Sequence, residues 1–125
     1  MGQEYLIDTN ILIDFQNGSI SQAGQEFVAK IIDLNFSISF VSYIEFLGYK
    51  NATNAMEDFI SFADVLETNR SIINQTILLR KNSRIKLPDA IIASTAIAHK
   101  LILITRNIQD FTNITGLKIL NPYTL

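Results

Sequence analysis

Apolar residues follow two rhythms along this chain. Tyr5-Leu6-Ile7 is an unbroken apolar run, the pattern of a strand buried on both faces of a sheet; residues 101–104 read as another strand, and residues 36–41 combine β-formers with Ser37 and Ser39. Between the runs, apolar positions recur at helical spacing. Asp8-Thr9-Asn10 supplies N-cap chemistry ahead of Ile11-Leu12-Ile13, which predicts a strand-to-helix turn and a helix ending near Asn17-Gly18. A second helix is predicted over residues 21–34, with Ala23, Phe27, Ile31 and Leu34 covering the sheet. The second strand, residues 36–41, leads through Ser42 into Tyr43-Ile44-Glu45-Phe46-Leu47, again a strand-to-helix junction.

Residues 52–63 carry Ala55, Met56, Phe59, Ile60 and Phe62 at helical positions, and Val65-Leu66 then reads as a brief strand. Ile72, Ile73, Ile77 and Leu78 predict a helix over residues 71–81, followed by a basic, polar loop over 82–86. Pro88 suits a first helical turn, and the alanine-rich stretch from Asp89 to His99 predicts a buried helix. Thr105-Arg106-Asn107 breaks the strand at 101–104, and residues 117–120 form a last one. Strands alternating with helices predict an α/β fold with a parallel sheet.

A length of 125 residues suits one domain spanning 1–125. With 48% hydrophobic residues, 18% charged, five Gly and two Pro, the chain has the profile of a packed globule and not of a disordered segment. Asp8, Asn10, Asp14, Glu45 and Asp89 interrupt every apolar stretch before it nears the roughly 20 residues of a membrane helix. No basic region precedes the first apolar run, so a cytoplasmic location is expected. The absence of cysteine excludes disulfides, thiolate zinc sites and cysteine nucleophiles, and the single His99 excludes a multi-histidine cage. Any metal must be held by oxygen.

The net charge of -2 conceals a polarised chain. Residues 1–69 hold ten acids against Lys30 and Lys50, while residues 70–106 hold seven Lys and Arg against Asp89 alone. The second segment could attract phosphates by Coulomb steering, or it could simply be a solvated face balancing the first.

Four acids fall at predicted strand ends or first helical turns: Asp8, Glu45, Asp89 and Asp110. In parallel α/β folds, ligands bind in the crevice beyond the carboxyl ends of the strands. Carboxylates without cysteine or histidine suit a hard cation such as Mg²⁺ or Mn²⁺. Three of the four also have ordinary readings: Asp8 as a helix cap, Asp89 as a first-turn carboxylate favoured by the helix dipole, Asp110 as a turn residue. Glu45 lies inside an apolar run, where a lone buried glutamate is costly. Asp14, Asp33, Glu57, Asp58, Asp64 and Glu67 read as solvated charges, and Tyr43, Tyr49 and Phe111 as core rather than base-stacking residues.

The run Tyr5-Leu6-Ile7-Asp8-Thr9-Asn10-Ile11-Leu12-Ile13 resembles the opening of PIN domains, especially VapC-like toxin ribonucleases. Ser42-Tyr43-Ile44-Glu45-Phe46 resembles the family's second acidic motif, Leu87-Pro88-Asp89-Ala90-Ile91-Ile92-Ala93 the third, and Leu103 through Asn107 with Asp110-Phe111 the fourth. The resemblance implies a three-layer α/β/α sandwich, a Mg²⁺- or Mn²⁺-dependent endoribonuclease activity, a cognate antitoxin and a homodimer. It makes Asp8, Glu45 and Asp89 the core metal-site acids, with Asp110 or Asn107 as the fourth position. Thr9, Asn10, Thr105 and Asn107 are expected to hold the acids or a water, and Arg80, Lys81, Arg84, Lys86 and Arg106 to hold RNA backbone. A non-catalytic RNA-binding or scaffold module is the alternative. A haloacid dehalogenase-type fold would want Asp where Asn10 stands, and a receiver-type domain an Asp after the second strand.

Overall fold

The computed structural model describes residues 4–125. Five strands, β1 (Tyr5–Ile7), β2 (Ser37–Ser39), β3 (Asp64–Leu66), β4 (Ile102–Ile104) and β5 (Lys118–Leu120), form one sheet in the order β3-β2-β1-β4-β5. All neighbouring strands are parallel. Six helices connect and cover them: α1 (Thr9–Asn17), α2 (Gln22–Leu34), α3 (Phe40–Leu47), α4 (Asn54–Ile60), α5 (Arg70–Asn82) and α6 (Leu87–His99). Among the described residues, no helix is long and apolar enough to cross a membrane.

The unbroken apolar runs have a direct cause, since successive side chains in a strand point to opposite faces. Ile7 and Ile104 join one core cluster with Ile11, Leu12, Val28, Phe36 and Phe46. Leu6 and Leu103 join a second with Ala90, Ile92, Ala93, Ala96 and Phe111. Both faces of β1 and β4 are therefore buried, and the expected three-layer α/β/α sandwich is the observed one.

Several elements differ from their sequence reading. β2 ends at Ser39, because the Ser39 hydroxyl caps α3 by accepting from the Ser42 N–H at 3.1 Å; Phe40 and Val41 are helical. α2 buries Ile31 as expected and half-buries Phe27 against the core, but Gly24 and Val28 are the other buried positions, while Ala23 is exposed and Leu34 is 87% exposed. Gly24 fits there because any Cβ would collide with the Pro122 carbonyl oxygen. Phe62 lies beyond the end of α4 and is 80% exposed. On α5 the buried positions are Ile72 and Thr76, while Ile73, Ile77 and Leu78 face outward. Thr76 tolerates burial because its hydroxyl donates to the Ile72 carbonyl at 2.8 Å.

The chain runs outward from β1 to β2 and β3, then returns to the far side of β1 for β4 and β5. The strand order reverses between β1 and β4. In an open parallel sheet that reversal leaves a crevice beyond the carboxyl ends of the two strands.

Candidate functional site

Asp8 and Thr105, the residues that follow β1 and β4, meet in that crevice. Asp8 is 4% exposed and Thr105 fully buried. The Thr105 hydroxyl donates to Asp8 Oδ2 at 2.7 Å, and the Thr9 N–H donates to Asp8 Oδ1 at 2.8 Å. The cap reading and the site reading of Asp8 are thus one geometry: the carboxylate that starts α1 is also turned to the sheet's switch point. Thr105 Oγ1 accepts from the Asn107 N–H at 3.1 Å, which leaves its proton directed at Asp8.

Glu45 reaches the same region from α3. Its carboxylate accepts from the Thr9 hydroxyl at 2.6 Å, and Thr9 Oγ1 lies 3.0 Å from Ser42 Oγ. A hydroxyl has one proton; the shorter contact to a carboxylate takes it, so Ser42 donates to Thr9. Ser42 and Glu45, three apart, share one face of α3. Glu45 is exposed and not buried as its apolar neighbours implied; Tyr43 and Ile44 are exposed as well, and Phe46 carries the burial. Thr9 contacts both acids, its N–H on Asp8 and its hydroxyl on Glu45. Among the described residues, Asn10 makes no side-chain hydrogen bond to the acids.

Asp89 sits in the first turn of α6, half-buried. With Arg84, Lys86, Gln109 and Asp110 it lines a cleft of about 290 Å³ between the α5–α6 loop and the 3-10 turn Ile108–Phe111. Asp110 is exposed on that turn and also lines an adjoining hollow of about 340 Å³ with Arg106, Asn107, Gln109 and Asn121.

Two of the acids, Asp8 and Asp89, have raised carboxyls. Burial pushes the Asp8 carboxyl up to about 6, with Asp89 and Glu45 adding to the rise and the bonds from Thr105 and Thr9 opposing it. Asp89 is raised as well, first by burial, then by Asp110 and Glu45, against the pull of Lys86. Asp110 shares the cleft with Asp89, and Asn107 lines only the adjoining hollow. Among the described residues, no three acidic or histidine side chains converge closely enough to enclose an ion by themselves. The all-oxygen set still suits Mg²⁺ or Mn²⁺, because Mg²⁺ keeps several waters and is commonly bound through about one or two carboxylates.

The basic residues divide. Arg84 and Lys86 line the cleft beside Asp89. Arg80 donates to the Ile85 carbonyl at 2.8 Å and so braces the loop that carries them. Lys81 is exposed at the end of α5 and lines neither hollow. Arg106 is ion-paired to Asp14 at 2.8 Å. Asp14 is buried, not solvated, and it also accepts from the Tyr123 hydroxyl at 2.7 Å. Phe111 is core as expected, whereas Tyr43 and Tyr49 are 39% and 40% exposed.

Sequence reading missed Ser39, Ser42, Asp14 and Tyr123. The two serines carried a local signal, the Ser39-x-x-Ser42 capping spacing followed three residues later by Glu45. Asp14 and Tyr123 are 109 positions apart and carried none.

Residues 5–117 match the family model described as "PIN domain". Ribonuclease VapC1 of Rickettsia felis is 29% identical over 127 residues, covering 92% of this chain and 93% of that protein. Among solved structures, a toxin-antitoxin complex from Klebsiella pneumoniae contains a chain 31% identical, with a TM-score of 0.75 over 96% of this chain and 98% of that one. VapBC-1 from nontypeable Haemophilus influenzae matches at 26% identity and a TM-score of 0.76, over 96% and 98% of the two chains. The chain belongs to the PIN domain family, and its likeness within that family is to VapC proteins.

Proposed function

We propose that this protein is a Mg²⁺- or Mn²⁺-dependent endoribonuclease, the toxin of a toxin–antitoxin pair, with Asp8, Glu45, Asp89 and Asp110 as its metal-site carboxylates. The observation that carries the reading is Asp8, a carboxyl at the β1–β4 switch point, held by two donors and raised first by its burial and then by two neighbouring acids. Four carboxylates that repel one another are poorly suited to a ligand-free role and well suited to sharing a cation.

A divalent ion bound there would supply an activated water and relieve charge at the attacked phosphate. The chain's own residues do the rest. Thr105 and the Thr9 N–H fix the Asp8 carboxylate, and the Thr9 hydroxyl fixes Glu45. Asp89 and Asp110 face the cleft that Arg84 and Lys86 also line, so a backbone phosphate held by those cations lies beside the acids. Such contacts set register without reading sequence. Arg80 supports them by bracing their loop.

An antitoxin partner is supported by the VapBC and toxin-antitoxin complexes that share this fold. Exposed Ile44, Ile73, Ile77 and Leu78 offer apolar surface for it and for a homodimer. The test is incubation of folded RNA with the purified protein in Mg²⁺, in Mn²⁺ and in EDTA, with Asp89→Asn alongside. Metal-dependent cutting by the wild type and none by the folded variant are expected. RNA retention without cutting under any divalent ion would overturn the nuclease reading in favour of a non-catalytic RNA-binding module.

A further inference from the structure

Thr105 and Arg106 are adjacent in sequence, and each is anchored to the same helix. Thr105 reaches Asp8, the N-cap of α1, at 2.7 Å. Arg106 reaches Asp14, further along α1, through Nη1 at 2.8 Å. The two contacts are rungs between one rigid rod and one turn. Without the Arg106 rung, the turn hangs on the Thr105 hydroxyl and on the bond from the Thr105 N–H to the Leu120 carbonyl at 3.1 Å.

The outer rung is built like a permanent fixture. Asp14 is 8% exposed, and one oxygen, Oδ2, accepts from both Arg106 and Tyr123. A carboxylate so buried needs such donors to offset its lost hydration. Tyr123 sits on the C-terminal 3-10 turn Pro122–Thr124, which is capped by Asn121 Oδ1 accepting from the Tyr123 N–H at 3.0 Å. The same turn is seated on α2 at Gly24, where any Cβ would collide with the Pro122 carbonyl. The C-terminus is thereby fastened to the helix that Asp8 begins.

We propose that Asp14, Arg106 and Tyr123 form a strut that sets the Thr105 hydroxyl against Asp8, so that all three are positioning residues of the carboxylate site and Arg106 is not an RNA-phosphate contact. The proposal rests on the metal-dependent nuclease reading and assigns the C-terminal turn a task in it. Arg106 lines the hollow next to Asp110, so its charge opposes cation binding there. Its removal would tighten metal binding if charge alone mattered, and loosens it if the strut matters. The sign of the effect separates the two.

The test uses Arg106→Gln, Arg106→Lys and Tyr123→Phe in the full chain, with two readouts at a temperature where each variant is folded. Mn²⁺ affinity is measured by electron paramagnetic resonance, and RNA binding is measured in EDTA as a function of salt. Arg106→Gln and Tyr123→Phe are expected to weaken Mn²⁺ binding by about tenfold, the lower end of the scale for losing a direct partner of a metal ligand, because each displaces Thr105, the partner of Asp8. Arg106→Lys, which keeps a donor for Asp14, is expected to recover most of that loss. The salt slope of RNA binding is expected to be unchanged in Arg106→Gln, whereas loss of a phosphate contact would lower it by about 1. Unchanged or tighter Mn²⁺ binding, or a reduced slope, overturns the strut while wild-type cleavage stands. A wild type that neither binds Mn²⁺ nor cuts RNA overturns the nuclease reading and the strut with it.

Discussion

Replacing Asp8 with asparagine is expected to do two opposite things, abolishing RNA cleavage and stabilising the metal-free protein near neutral pH. The Asp8 carboxyl rises from its ordinary 3.8 to about 6 on folding. At about 1.4 kcal/mol per pKa unit, the ionised carboxylate disfavours the fold by about 3 kcal/mol. The folded chain holds this proton more tightly than the unfolded chain, so the stabilising contribution is complete below about pH 4 and is lost as pH rises through about 6. Asparagine keeps the shape and removes the charge. Its single oxygen can accept from only one of the Thr9 N–H and the Thr105 hydroxyl, which returns about 1 kcal/mol. A net gain of about 2 kcal/mol corresponds to a Tm higher by about 5–10 °C for a chain of this size. Thermal melts in EDTA, near neutral pH and again at about pH 4, measure it. The gap between the variant and the wild type is expected to be wide at neutral pH and to close in acid, because every other carboxyl is common to both proteins. Added Mg²⁺ is expected to raise the wild-type Tm and leave the variant unmoved. An Asp8→Asn protein that melts lower at neutral pH, or a gap that ignores pH, would refute the reasoning.

Thr105→Val removes the buried donor to Asp8 and the acceptor for the Asn107 N–H, and a loss of about 1–3 kcal/mol is expected in urea unfolding. Glu45→Gln leaves Thr9 an acceptor on an exposed side chain, so stability is expected within about 0.5 kcal/mol of wild type while Mg²⁺-dependent cleavage is lost. Gly24→Ala drives a Cβ into the Pro122 carbonyl; a cost of about 1–3 kcal/mol is expected, with faster proteolysis of the C-terminal turn. Arg84→Gln combined with Lys86→Gln is expected to lower the salt slope of RNA binding by about 2, measured by filter binding in EDTA.

The sheet could be read from the chain because its two central strands are buried on both faces, which forces the contiguous runs at Leu6-Ile7 and Leu103-Ile104. The acids could be read because Asp8 and Asp89 stand where local rules place helix starts, and a helix start in an α/β fold faces the ligand crevice. What local pattern could not supply is the exposure of each apolar position. Ile73, Ile77 and Leu78 obey helical spacing yet face outward, since α5 packs chiefly on α6 and buries Thr76 by satisfying its hydroxyl within the helix. Glu45 looked buried for the same reason: Tyr43 and Ile44 beside it are apolar yet face outward, and Phe46 turns into the core. The Asp14–Arg106–Tyr123 group joins residues 92 and 109 positions apart, and only the folded chain brings them together.

The claim beneath all of this is that Asp8, Glu45, Asp89 and Asp110 share a divalent cation. A crystal of the protein grown with Mn²⁺ and measured at the manganese absorption edge tests it directly. Anomalous density within direct or water-bridged reach of Asp8 and Asp89 is expected. Density elsewhere on the molecule, or none at saturating Mn²⁺, would contradict the account.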